Sequence, residues 1–320
     1  LYCFSGFGLA LLLGGERFAT VEVEIYRLVA YELDMARASV LVWLVLAATA
    51  AAGGLYAYWS KRVAVDKSVS PLPPRAPVRA WEKWLTATVL AMLVLCCLLP
   101  LAAVWLKAAA AGSSWAVLLE AQTWAAAWNT IRFSVAAVAT ATVLGVLYAA
   151  AARQMAWLRA LMFLPFMVSP VCIAFGVLLL YPQWTASLWL LTATYALLAY
   201  PFVAKDVLAA WDGLPKDYAA AARTMGANGF QTACYVTAPL LKPALRRGLT
   251  LASATCIGEF AATLFLSRPE WQTLTTLIYD YLGRAGADNY GRAMVLTAVL
   301  TALALAAFLL VDEAEGQKAV

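Results

Sequence analysis

The 320-residue sequence contains no histidine, so it lacks the commonest metal ligand and the side chain that most readily changes charge near neutral pH. It has no GxxxxGK[ST] pattern, which excludes ATP binding through a P-loop. Of its six cysteines, five lie in apolar runs and none forms a CxxC pair, so we expect small buried hydrophobic side chains. No serine stands beside a plausible base. The sequence therefore predicts neither a catalytic site nor a metal site.

Charged residues are also scarce. They make up 13% of the chain and hydrophobic residues 64%, whereas soluble domains are nearer a quarter charged and half apolar. This composition predicts an all-α, polytopic transmembrane helix bundle, and the small net charge of +5 does not indicate nucleic-acid binding. Seven segments have about the length needed to cross a bilayer: residues 36–59, 84–106, 130–152, 158–181, 184–204, 248–266 and 291–311. Residues 1–13 resemble the end of an eighth, so we expect the chain to be a fragment.

The Lys and Arg residues are unevenly distributed among the connections. Residues 60–83 and 205–247 carry six each, and the turn after Ala152 carries Arg153 and Arg159. Residues 108–129 and 182–183 carry none. Because cytoplasmic loops of membrane proteins are enriched in Lys and Arg, the first three connections are predicted to be cytoplasmic and the last two external.

A small-residue loop lies in the connection between residues 205 and 247. Asp217 suits the positive end of a helix dipole and Arg223 the negative end. Gly226 is predicted to end this helix, since glycine adopts the left-handed conformation at low steric cost. The positions of interest are Asp217, Ala220, Ala221, Ala222, Gly226 and Pro239. An ordinary Ala-rich connecting helix is the alternative interpretation.

This spacing resembles the EAA loop of ABC importer permeases: Glu-Ala-Ala, three residues, Gly, a spacer and Leu-Pro. In that family the loop forms two short cytoplasmic helices that dock into a groove on the ATPase subunit. Ala220 and Ala238 stand where the family usually has Glu and Leu. The resemblance extends over nearly the whole chain and is to fused two-half permeases for thiamine and ferric iron, with residues 3–26 somewhat closer to the thiamine branch.

An internal repeat relates the start of the chain to its last third. At an offset of 253 positions, Cys3, Phe7, Leu11, Leu13, Thr20, Ile25 and Tyr26 match Cys256, Phe260, Leu264, Leu266, Thr273, Ile278 and Tyr279. After a two-residue slip, Arg37, Ala38, Val40 and Leu41 match Arg292, Ala293, Val295 and Leu296. Chance similarity between apolar segments is the alternative. The repeat predicts the C-terminal part of a first permease half at residues 1–59, a cytoplasmic linker at 60–83, a second half with six transmembrane helices at 84–312, and a cytoplasmic tail at 313–320.

Three residues inside predicted spans are candidates for a translocation pathway. Glu259 is a carboxylate well inside the span 248–266, where an ionisable group is costly. A hydrogen-bonded interhelical contact is the alternative role for it. Ser169 and Pro170, with Pro165, interrupt the span 158–181, and Pro201 interrupts the next, although simple packing kinks would also explain them. Residues 267–289 are too polar to span, and we expect an external gate, a docking surface or a connecting hairpin there.

These observations and the resemblance predict the permease component of an ATP-driven ABC importer in a bacterial inner membrane, moving a solute of the thiamine or ferric iron class. The resemblance implies a homodimeric cytoplasmic ATPase and a periplasmic or extracellular substrate-binding protein as partners. No cofactor is expected to bind directly, and ATP acts through the ATPase. Two alternatives stay open. A secondary transporter would use Glu259 as a proton relay, and a membrane-embedded enzyme would need a catalytic constellation that is not visible.

Overall fold

The computed structural model describes residues 6–14, 18–63, 79–162, 164–184, 187–266 and 268–312, and every regular element within these ranges is helical. The predictions that fall on Cys3, on residues 64–78 of the linker and on the tail at 313–320 lie outside these ranges. The first helices are α1 (Phe7–Leu13), α2 (Val21–Arg27), α3 (Met35–Val63), α4 (Ala80–Ala109) and α5 (Ala121–Gln154). Next come α6 (Ala156–Leu161), α7 (Leu164–Met167), α8 (Pro170–Leu180), α9 (Leu188–Gly213) and α10 (Lys216–Thr224). The last are α11 (Gly229–Thr232), α12 (Ala238–Ile257), α13 (Ala261–Leu266), α14 (Leu274–Gly283) and α15 (Ala287–Asp312).

Five helices in the described part of the chain are long and apolar enough to cross a membrane: α3 over Met35–Leu55, α4, α5, α9, and α15 over Ala287–Val311. They contain, to within a few residues, five of the seven segments predicted from hydropathy. An all-α polytopic bundle therefore follows from the apolar runs themselves.

The other two predicted spans are not single helices. The interruption predicted within residues 158–181 is confirmed, whereas the prediction of one unbroken span at residues 248–266 is wrong. Residues 158–181 are divided among α6, α7 and α8, because prolines lack the amide donor that an uninterrupted helix needs. Residues 248–266 are interrupted after Ile257, where Gly258 ends α12 and α13 begins three residues later. By contrast, α9 continues through Pro201, so the interruption predicted there does not occur.

The core of the bundle is a crossing of α5, α9 and α12. A β-carbon added at Gly145 on α5 would lie 2.7 Å from Val203 Cβ, and one added at Gly248 on α12 would lie 2.7 Å from Val203 Cα. Both glycines therefore admit the backbone of α9 at distances that no larger residue allows. Close approach through small residues is how transmembrane helices gain packing energy without a hydrophobic driving force.

The segment predicted as an external gate or hairpin is the short helix α14 with a 3₁₀ turn, Pro269–Trp271, before it. Its apolar side chains Leu274, Leu277, Ile278 and Tyr281 are buried. The amide of Leu274 donates to Thr130 Oγ1 at 2.9 Å, and the side-chain amide of Asn129 donates to the carbonyl oxygens of Glu270 and Gln272. These bonds fix α14 against the first turns of α5.

Helix α4 packs along α15 and is exposed over most of its surface, where leucines and tryptophans predominate. A helix that is apolar all round and exposed is suited to face lipid. Cys96 and Cys97 lie on this surface and Cys234 is exposed elsewhere, so the expectation of burial is wrong for these three, while Cys172 and Cys256 are buried.

Candidate partner-docking loop and membrane pathway

The end of α10 is shaped by backbone hydrogen bonds around Gly226. The amide of Gly226 donates to the carbonyl of Arg223 and that of Ala227 to the carbonyl of Ala222, each at 3.0 Å. This pair of bonds is a Schellman motif, which requires a left-handed residue where Gly226 has φ 89°. The glycine predicted to stop the helix does so, and Asp217 lies in the first turn as expected.

The chain restarts as a helix within two residues of this stop. The side chain of Asn228 accepts the amide of Gln231 at 2.8 Å, and Gln231 Oε1 accepts the amide of Asn228 at 2.9 Å. This reciprocal capping box begins α11, which continues through a π-helical turn, Ala233–Thr237, into α12. Two short helices were expected in the loop. The second of them, α11, is instead the first turn of a longer helical segment that continues into α12. Pro239 is therefore the second residue of α12 and does not end the loop.

The loop presents apolar side chains to the outside. Met225 is 88% exposed, Phe230 76% and Tyr235 79%. Ala220, Ala221, Gly226 and Pro239 are exposed as well, while Ala222 is partly buried. Between α10 and the π-helical turn lies a groove of about 420 Å³ lined in part by Tyr218, Ala220 and Leu240. An exposed apolar patch beside a groove is typical of a surface that another protein covers.

Ion pairs connect this loop to the bundle. Asp212, at the end of α9, accepts two hydrogen bonds from Arg159 on α6, at 2.8 and 3.2 Å, and lies 3.8 Å from Arg153 on α5. The guanidinium of Arg153 also lies 4.9 Å from the centre of the Trp211 ring. Three helices therefore meet four residues before α10 begins. Asp212 therefore links α5, α6 and α9 just before the loop.

Glu259 lies at the break between α12 and α13. Its Oε1 accepts the amide of Ala262 at 3.0 Å, so the carboxylate caps the start of α13. Its main-chain carbonyl accepts the hydroxyl of Thr275, on α14, at 3.0 Å. The carboxylate is therefore hydrogen-bonded within its own segment and not between helices as the alternative from the sequence supposed, and its place in a translocation pathway stays a prediction.

Ser169 lies at the other break. It is 2% exposed and its Oγ accepts the amide of Val171 at 3.2 Å, so it caps α8, with Pro170 as the first helical residue. Helices α8 and α13 pack against each other, which brings the two broken spans together. Ser169 and Glu259 thus have similar roles, each capping the last helix of an interrupted span.

Three charged residues in this region were missed in the sequence. Glu22 is 4% exposed, and its carboxylate has no hydrogen bond of normal geometry within the described ranges, although Ser169 and the backbone of Phe7 are close by. Arg132 lies inside α5 with its guanidinium 4.7 Å from the ring of Phe133. Glu120 accepts from Tyr281 at 2.9 Å and from Arg292 at 2.6 Å. Arg132 could have been found from the sequence, because it is a cation inside an apolar run. Glu22 could not, because it lies in a short polar stretch where a carboxylate is not unusual.

The two segments matched by the predicted repeat have the same order of helices. Helices α1, α2 and α3 follow one another as α13, α14 and α15 do, and the residues before α2 and α14, Thr20 and Thr273, are both extended, with ψ of 165° and 169°. The repeat-related pair Phe7 and Phe260 stack with ring centres 5.9 Å apart. The structure therefore brings the two matched segments into contact at this ring pair.

Comparison with known proteins identifies a family model and several relatives. Residues 141–312 match the model described as "Binding-protein-dependent transport system inner membrane component". A putative 2-aminoethylphosphonate transport system permease protein of Salmonella typhimurium is 27% identical over 196 residues, which is 58% of this chain and 73% of that protein.

Two further relatives cover different shares of the chain. A sulfate transport system permease protein of Escherichia coli is 32% identical over 164 residues, covering 46% of this chain and 58% of the relative. A thiamine transport system permease protein of Salmonella typhimurium is 24% identical over an alignment of 335 positions, covering 100% of this chain and 61% of the relative. The last match includes the residues that precede the family model.

Proposed function

The chain belongs to the family of binding-protein-dependent transport system inner membrane components, and from that premise we propose that its residues 215–240 couple solute movement to a separate ATPase. It is a multi-pass inner-membrane permease component of a bacterial ABC importer, a transporter subunit and not an enzyme. The family implies an ATPase and a substrate-binding protein as partners. ATP acts in this proposal only through the partner, which we take to be a homodimer.

The observation that carries the coupling role is the exposed surface of the loop. Tyr218, Met225, Phe230 and Tyr235 are each more than half exposed, around a short helix whose end is held in one conformation by Gly226. Aromatic and methionine side chains are enriched at protein interfaces. Together with the matching EAA spacing, this surface supports docking of the ATPase on α10 and α11.

In the proposed mechanism, ATP-driven closure of the ATPase dimer pulls on α10. Because Asp212 holds the ends of α5, α6 and α9 together just before α10, the pull acts on a group of helices rather than on a single loop. The spans then rock between inward-facing and outward-facing states.

The transported solute is proposed to be of the thiamine or ferric iron class. The alignment with the thiamine permease runs the full length of this chain, whereas those with the phosphonate and sulfate permeases cover 58% and 46% of it. The iron alternative rests on the resemblance of the sequence alone.

We further propose that the chain holds the end of one permease half and all of a second. The boundaries at residues 59, 83 and 312 stay as predicted from the sequence. The repeated order of α1–α3 and α13–α15, and the stacking of Phe7 on Phe260, support this organisation.

The experiment that tests the coupling role is the substitution Gly226→Leu. A side chain at φ 89° costs roughly 1–2 kcal/mol and misplaces α10 relative to α11. We expect ATP-driven uptake into vesicles to be abolished while membrane insertion stays normal. Gly54→Leu is the matched control, because Gly54 is exposed on α3 and a β-carbon added there would have no atom within 4 Å. Uptake by Gly226→Leu within twofold of the parent would remove the coupling role.

A further inference from the structure

A cavity of about 550 Å³ lies where Leu11 and residues 19–31 meet Tyr279 of α14. We call it the aromatic chamber. Tyr26, Tyr31 and Tyr279 line it together with Glu24 and Arg27. Its volume is within the range of small-molecule sites. Tyr26 and Tyr279 are matched by the predicted repeat, so the chamber lies where the two matched segments meet, and it is open to the surface at Tyr31.

Three tyrosine rings line the chamber, and the rings of Phe7 and Phe260 connect two of them, Tyr26 and Tyr279, from behind. The ring centre of Tyr26 is 6.0 Å from that of Tyr31 and 5.8 Å from that of Phe7. Phe7 stacks on Phe260, whose ring centre is 5.4 Å from that of Tyr279. The negative faces of such rings attract cations, and their flat surfaces stack on flat ligands.

The charges at the chamber favour the same kind of ligand. Arg27 is bound by two carboxylates: its Nη2 and Nε lie 2.5 and 2.9 Å from the oxygens of Glu24, and its Nη1 lies 2.8 Å from Glu32. Arg27 also holds the pKa of the Glu24 carboxyl below its usual range, so Glu24 is charged at neutral pH. Counting Glu32, which pairs with Arg27 from outside the chamber lining, these three side chains carry a formal net charge of −1. An oxyanion would have to displace both carboxylates to reach Arg27.

We propose that the aromatic chamber binds the transported solute during its passage, and that this solute is a flat organic cation rather than an oxyanion or a bare metal ion. The proposal rests on the proposed function, since it treats the chamber as part of the transport route. It goes further in placing a selective site in the permease itself. Tyrosine rings supply stacking and cation–π contacts, and the excess carboxylate supplies the opposite charge.

The test is binding of radiolabelled thiamine, as the organic cation, to the full-length permease assembled with its ATPase in nanodiscs, without ATP and without the binding protein. We expect saturable binding to the parent complex, weakened about tenfold by Tyr26→Ala, which removes one cation–π contact. Glu24→Gln should weaken it as well. Tyr26→Phe keeps the ring and should bind within about twofold of the parent. Tyr290→Ala is the matched control, because Tyr290 is an exposed tyrosine outside the chamber.

Competition distinguishes the ligand classes. Excess 2-aminoethylphosphonate, sulfate, molybdate or ferric ion should leave thiamine bound. Displacement by any of these, absence of thiamine binding to the parent, or unchanged binding in both Tyr26→Ala and Glu24→Gln would overturn the proposal. Gly226→Leu separates it from the coupling role, because that substitution should abolish uptake and leave binding in the chamber intact.

Discussion

Single residues at helix ends determine much of this molecule's shape. Gly226 stops α10, Asn228 starts α11, Ser169 starts α8 and Glu259 caps α13. The end of α10 at Gly226 could be predicted, because a glycine that follows a helical segment is by itself a signal for a left-handed helix end. The role of Glu259 could not, since it depends on where α13 begins, and the sequence predicted an unbroken span there.

The capping geometry of Glu259 gives opposite expectations for two substitutions. Glu259→Gln keeps Oε1 as an acceptor for the amide of Ala262, so ATP-driven uptake should fall only mildly. Glu259→Leu removes the acceptor and leaves buried donors unpaired, at a cost of roughly 1–3 kcal/mol. Uptake should then fall strongly. Vesicle uptake at matched expression measures both.

The same pair of variants addresses the secondary-transporter alternative. An amide does not titrate, so a proton relay through Glu259 predicts that Gln abolishes uptake as fully as Leu. That result, combined with loss of uptake when the proton gradient is dissipated at constant ATP, would replace the ATP-driven mechanism with a proton-coupled one.

Among the elements, the crossing of α5, α9 and α12 is a contact in which two glycines approach one residue. Gly145 and Gly248 approach the same residue, Val203, from two helices. At Gly145 the nearest atom belongs to a side chain, but at Gly248 it is the Cα of Val203. A backbone does not move aside as a side chain does, so Gly248 is the more restrictive position.

We therefore expect Gly248→Ala to separate α9 and α12. Its β-carbon would lie 2.7 Å from Val203 Cα, and overpacking of this kind costs about 1–3 kcal/mol. The unfolding temperature in detergent should fall by roughly 5 °C, measured by differential scanning fluorimetry. Gly176→Ala, at an exposed glycine on α8 with open space around it, is the control. An unchanged unfolding temperature for Gly248→Ala would show that α9 and α12 are far enough apart at Val203 to accommodate the added methyl group.

An element could be predicted from the sequence when the residues that specify it lie within the element itself. The spans α3, α4, α5, α9 and α15 were recognisable because a long apolar run has few alternatives to a transmembrane helix. The break at Ser169–Pro170 was signalled by proline, although only as a kink. The break after Ile257 has no proline, and it depends on contacts that α14 and α8 make with distant residues. The sequence does not encode such contacts locally.

At the scale of the whole molecule, the structure joins residues that are far apart in the chain. Phe7 and Phe260, which the predicted repeat matches, stack on each other. The aromatic chamber likewise combines Tyr26 with its matched residue Tyr279. The matches could be found by comparing the chain with itself. That the matched residues contact one another could be seen only in the structure.

The orientation of the bundle is a second whole-molecule property, and it motivates the final prediction. The loop carrying α10 lies among Lys and Arg residues, whereas the connection at 108–129 has none, which predicts opposite sides of the membrane. Labelling at two exposed positions, Ser113 and the native Cys234, shows on which side of the membrane each connection lies. Single-cysteine variants, with the other cysteines replaced by serine, provide the probes.

In intact cells, a membrane-impermeant maleimide should label the Ser113→Cys variant at once. It should label the variant that retains Cys234 only after permeabilisation. Co-expression of the ATPase should further slow labelling of Cys234, because that residue lies on the π-helical turn beside the proposed docking surface. A variant without cysteine controls for background labelling. Reversed labelling would place α10 on the side of the membrane away from ATP, and coupling through residues 215–240 would then be physically impossible.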